Sequence, residues 1–102
     1  MNDVIFIGNR TDTALCSDAG IRAYAPPLGL LAERVLAERM RCRILAMRES
    51  TFLALPKALA RELREGSWPR LSVLPEDTAG TDSAPLTHSL RQQAARDLGG
   101  KS

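Results

Sequence analysis

Apolar residues fall in short runs divided by polar, Gly- or Pro-containing stretches. Val4-Ile5-Phe6-Ile7 is continuous, β-branched and aromatic, and Gly8 closes it. Such a run suits a strand buried on both faces, as in a parallel sheet. Residues 9–13 are polar and rich in cap formers, and residues 14–19 read as a short helix that Gly20 stops. Residues 21–25 form a weaker strand, broken by Pro26-Pro27. Residues 28–41 give the clearest helical pattern: Leu28, Leu31, Ala32 and Val35 recur at i, i+3, i+4 and i+7, and Leu36 and Met40 widen the stripe. Arg34 and Glu38 sit four apart on its polar face. Residues 43–47 are a third strand. Ser50 or Thr51 can cap a third helix, with Phe52, Leu55, Leu59 and Leu63 along one side and Gly66 at its end. Pro56 fits only a first turn, so its regular part is predicted to begin near Leu55. Residues 70–74 are a fourth strand, ended by Pro75.

Strand and helix alternate through residue 75, which predicts an α/β fold. The expectation is a small, open, four-stranded, mostly parallel sheet flanked by helices in a receiver-like three-layer sandwich. Val4, Phe6, Ile44, Leu71 and Val73 are expected among its core strand positions. Composition then shifts. Residues 76–85 hold no large apolar side chain and read as a linker. Residues 86–102 form a C-terminal helix and tail, with Leu86, Leu90, Ala94 and Leu98 every four residues. So narrow a stripe gains little by folding alone, so the helix must dock on the body or on a partner. In the isolated protein the tail is expected to be mobile, or parked on the body or on another copy. A chain ending at Pro75 is expected to keep its body folded, because the strands are complete by then.

Composition narrows the functions. The chain has 102 residues, which suits one domain, and a formal net charge of +2. That near balance, with aromatics at 4%, argues against a nucleic-acid binder even though Arg39, Arg41, Arg43 and Arg48 cluster. No apolar run approaches the ~18 residues of a membrane span, and the acidic start suggests no signal peptide. The two cysteines, Cys16 and Cys42, fit neither a metal motif nor a disulfide framework and read as small core residues in a reducing, cytoplasmic compartment. His88 is the only histidine, so no Cys–His nucleophile pair or metal cluster is expected. A phosphoacceptor site would need a carboxylate ending the third strand, but Met47-Arg48 stands there. The loop 8–13 opens a helix after a strand, where ligands gather in open sheets. Its single Gly8 does not make a dinucleotide or P-loop motif.

Several segments carry a resemblance. Val4-Ile5-Phe6-Ile7-Gly8 precedes the polar Asn9-Arg10-Thr11-Asp12-Thr13; Ala19-Gly20-Ile21 closes the first helix; a strand ending in Met47 leads into a loop and helix; and Arg70-Leu71-Ser72-Val73-Leu74-Pro75 closes the body. Ser89-Leu90-Arg91 and Ala95-Arg96-Asp97-Leu98-Gly99 follow the linker. In this layout the chain resembles the F subunit of the A/V-type (archaeal and vacuolar-type) rotary ATPases, in a divergent bacterial form. It departs at Asn9, where the family often has an acidic residue, and at Cys16 and Asp18, where it often has large apolar ones.

The resemblance implies a non-catalytic component of the central rotor stalk, peripheral to the membrane on the cytoplasmic side and without a cofactor. Its C-terminal helix would lie against the coiled coil of the D subunit of the stalk through Leu86, Leu90, Arg91, Ala94 and Leu98. Contact with the catalytic head and the membrane-rotor connector would be indirect. It would help couple ATP hydrolysis or synthesis to ion transport. The alternative is a small-ligand or phosphate-binding α/β module using the loop after the first strand. Because that loop lacks the P-loop glycines and lysine, the isolated chain is expected to show no ATPase activity and weak or no nucleotide binding. Tight, stoichiometric binding of ATP in calorimetry would overturn this.

Overall fold

The computed structural model describes residues 2–75 and Leu90. The chain runs through β1 (Asn2–Ile7), α1 (Arg10–Asp18), β2 (Arg22–Tyr24), a 3-10 turn (Leu28–Leu30), α2 (Leu31–Glu38), a second 3-10 turn (Arg39–Arg41), β3 (Cys42–Arg48), α3 (Glu49–Leu53), α4 (Lys57–Glu65) and β4 (Arg70–Leu74). The four strands form one sheet in the order β2-β1-β3-β4, and every neighbouring pair is parallel. This is the α/β architecture that the alternation predicts.

Strand alternation divides the core. Ile5, Ile7, Leu45 and Met47 face one side, where Leu31 and Val35 of α2, Phe52 of α3, and Leu59 and Leu63 of α4 cover them. Val4, Phe6, Ile44 and Ala46 face the other, with Leu74, Cys16 of α1 and Leu90. A central parallel strand needs cover on both faces, which is why β1 and β3 read as continuous apolar runs. On β4, an edge strand, Leu71 and Val73 are only half-buried, whereas Ser72 and Leu74 are buried.

The helices depart from the sequence pattern where capping or backbone chemistry intervenes. α1 begins at Arg10, four residues ahead of the expected start, because the Asn9 side chain accepts a hydrogen bond from the Asp12 amide at 2.7 Å. It ends as the sequence suggests. Gly20 takes φ +83, its amide donates to the Ser17 carbonyl, and the Ile21 amide donates to the Cys16 carbonyl. That is a Schellman closure, with Cys16 and Ile21 meeting in the core. The single helix expected over residues 28–41 tightens into 3-10 turns at both ends. Leu28 is consequently 80% exposed, and Leu36 and Met40 face water instead of widening the buried stripe. The third helix is two. Pro56 adopts an extended ψ of 142 as the cap of α4, which starts at Lys57 and not near Leu55.

The expected linker, residues 76–85, and His88 lie outside the described residues, as do Leu86, Arg91, Ala94 and Leu98. Leu90 is helical and 0% exposed, among Val4, Phe6, Ile44, Ala46 and Leu74. The tail therefore contributes to the packed layer at this point, and losing it strips cover from that face. Leu59→Ala and Leu90→Ala are each expected to lower unfolding free energy by about 2–5 kcal/mol, read from urea melts. An unchanged melt for Leu90→Ala would show that its burial adds nothing to the fold.

Candidate functional site

The strand order reverses between β1 and β3: from β1 the chain steps outward to β2, and β3 and β4 lie on the other side. In open α/β sheets ligands collect at the carboxyl ends of the strands flanking such a reversal. Here those ends lead into Gly8-Asn9 after β1 and into Glu49-Ser50 after β3. Gly8 is required at its place, since a Cβ there would lie 2.8 Å from the buried Phe6 ring. Its amide continues the strand ladder by donating to the Tyr24 carbonyl at 3.0 Å.

Beneath these loops sits a buried ion pair. Arg48, the last residue of β3, donates through Nε to Asp12 Oδ2 at 2.8 Å and through Nη2 to Oδ1 at 3.3 Å. Its Nη1 donates to the Pro75 carbonyl at 2.7 Å. Asn9 Nδ2 donates to Asp12 Oδ2 at 2.9 Å. The Asp12 carboxylate thus receives both prongs of a guanidinium and an amide. Asp12 is buried, and three of its about four acceptor sites are taken by these donors. The guanidinium joins α1, the end of β3 and the exit of β4. Where a phosphoacceptor fold would place its reactive carboxylate, this chain places a cation already engaged in holding the loops together.

Above the pair, a cleft of about 600 Å³ opens between the three strand ends. Asn9, Arg10, Ser50 and Thr51 give it a polar side; Pro26, Pro27, Leu28 and Ala54 give it an apolar one. Among the described residues no Asp or Glu lines it, and Arg10 is the only charged one that does.

A second buried charge lies on α2. The Arg34–Glu38 pair expected on a polar face forms at 2.7 Å, yet the Glu38 side chain is only 2% exposed. Glu38 Oε1 has no hydrogen-bond partner among the described residues. Arg34 also stacks over the Tyr24 ring, 4.6 Å from its centre. Both cysteines are buried free thiols, on separate elements. Burial lifts the Cys16 thiol from 9.0 to about 11; the Asp12 charge adds to the rise and Arg48 opposes it. Burial and then Glu38 lift Cys42 to about 11 as well. Thiols so held are poor nucleophiles at neutral pH. Among the described residues no three His, Cys, Asp or Glu side chains converge as metal ligands.

Of the residues expected to contact a partner, Leu90 lies against the sheet. The Asp12–Arg48 pair had no signal in the sequence pattern, because its members are 36 residues apart and meet only through the strand order. The chain matches no protein-family model, no curated protein and no solved structure.

Removing one member of the Asp12–Arg48 pair leaves a buried charge unmatched, so Asp12→Asn or Arg48→Met is expected to cost about 3–5 kcal/mol in urea unfolding. The double variant should recover much of that loss, and strict additivity would show that the two do not act as a pair. The thiols predict a pH dependence. Below 9.0 both are protonated in either state and their stabilising contribution is fully present. Between 9.0 and about 11 the unfolded thiols lose protons that the folded ones keep, so stability falls as pH rises. Urea midpoints measured across this window should fall less in Cys16→Ala/Cys42→Ala than in the parent chain.

Proposed function

We propose that this chain is a non-catalytic central-stalk component of a rotary ATPase, the counterpart of the F subunit of the A/V-type enzymes. Its α/β body serves as a rigid platform, and its C-terminal helix lies along the coiled coil of the D subunit. It works at the cytoplasmic side of the membrane, peripheral to it, and couples chemistry in the head to ion transport. It reaches the head and the membrane-rotor connector through its neighbours and binds no nucleic acid.

The observation that carries this reading is the burial of Leu90. It supports a tail that engages apolar surface through one side of a helix, as the stripe Leu86, Leu90, Ala94 and Leu98 requires. A narrow apolar stripe of this kind can lie on the protein's own sheet or on a partner helix, because either offers apolar surface to cover it. The Asp12–Arg48 pair suits the same role, since it stiffens the exit of β4 from which the tail departs. No helix among the described residues is long and apolar enough to cross a membrane, which is compatible with a peripheral place.

Binding to the purified coiled-coil D subunit tests the proposal. Full-length protein is expected to bind and to restore coupling of ATP hydrolysis to ion transport in a complex lacking its own F subunit. Leu86→Asp/Leu98→Asp is expected to weaken binding at least about tenfold, as for central apolar contacts. No binding by the full-length chain, or equal affinity with unchanged coupling in the variant, would sink the tail contact.

A further inference from the structure

We infer that the cleft at the strand ends is a binding site for a small amphiphilic anion: one carboxylate-sized head on an apolar skeleton. This does not depend on the stalk reading. The cleft, of about 600 Å³, has the size of sites that enclose small organic ligands. It lies beside the β1/β3 reversal, where the sheet leaves a crevice.

Its lining selects the ligand. Arg10 is exposed and makes no ion pair among the described residues, and none of those lining the cleft is an acid that would oppose it. The nearby Asp12 charge is already matched by Arg48 at 2.8 Å. The Thr51 hydroxyl lies at the same mouth, within 3.6 Å of where a Cβ on Gly8 would stand. The charge therefore calls for an anion, and hydrogen-bond donors are present to orient it.

The remaining wall is apolar: Pro26, Pro27, Leu28 and Ala54. Leu28 is 80% exposed, an apolar side chain displayed beside a cavity and not spent on the core. The two prolines fix the wall without a side chain to reorder on binding, which lowers the entropy cost of occupancy. A nucleotide is disfavoured, since one glycine cannot bring a succession of amides to a polyphosphate. A single anionic head with an apolar body uses both sides of the cleft.

Sodium octanoate is the probe, with octylammonium chloride and inorganic phosphate as controls, and amide shifts of the full chain are followed by NMR. Octanoate is expected to shift Gly8, Arg10, Thr51 and Ala54 saturably, while octylammonium and phosphate leave them in place. Arg10→Gln should weaken octanoate at least about tenfold, the scale of a charge-assisted contact. Ala54→Trp, which fills the apolar side at an exposed position, should abolish binding while keeping the parent melt. Equal shifts with octylammonium would reduce the site to an apolar patch and overturn the inference. So would shifts from phosphate alone, shifts confined elsewhere, or a concentration-dependent dimer that buries Leu28 and ignores octanoate.

Discussion

The two central strands of an all-parallel sheet cannot leave either face to water, and most of this structure follows from that demand. β1 and β3 alternate side chains between two apolar clusters, so the chain must supply a helical layer twice. α2, α3 and α4 furnish one layer. On the other face α1 brings Cys16, and Leu90 from the tail covers Val4, Phe6, Ile44, Ala46 and Leu74. The tail is separate from the body in sequence but joined to it in packing.

The same layering explains where charge can be tolerated. The loops at the strand ends are crowded by the Gly8 approach to Phe6 and by the start of α1. Arg48 reaches back under them to Asp12 and out to the Pro75 carbonyl. A bidentate guanidinium suits such a place, because its planar donors meet several acceptors at once and its charge is matched within the same contact. Breaking it would leave an uncompensated ion near the core. Glu38 is a looser case: one oxygen meets Arg34 and the other meets no donor among the described residues.

These arrangements divide the surface into regions of different character. Side chains beneath the strand ends are engaged with one another and tie the loops together. Among the described residues, the cleft above them is lined by one cation, Arg10, and an apolar wall. Leu90 of the tail, in turn, meets the sheet through apolar contact.

The strands were legible in the chain itself, and for β1 and β3 so was their burial on both faces, because residues 4–7 and 44–47 are continuous apolar runs; on β4 the burial of Ser72 and the half-exposure of Leu71 and Val73 were not. Gly20 announced the end of α1, because few other residues accept φ +83. Cys16 and Cys42 were readable as core residues for want of any ligand spacing. Other features were signalled only in part: the cap formers at residues 9–13 and Pro56 were visible, but not the boundaries they set. Asn9 started α1 early through a side-chain bond that competes with the polar-loop pattern. Pro56 split a helix whose apolar spacing ran on unbroken. Leu28 and Met40 kept helical spacing yet fell on 3-10 turns, which rotate side chains away from the α-helical stripe. The Asp12–Arg48 pair, the cleft and the seat of Leu90 arise only when distant segments are brought together by the order β2-β1-β3-β4. Local periodicity determined which segments became strands and helices, because those choices rest on neighbouring side chains. Tertiary structure alone decided which charges met and what the tail covered, because contacts between remote residues depend on strand order and not on spacing.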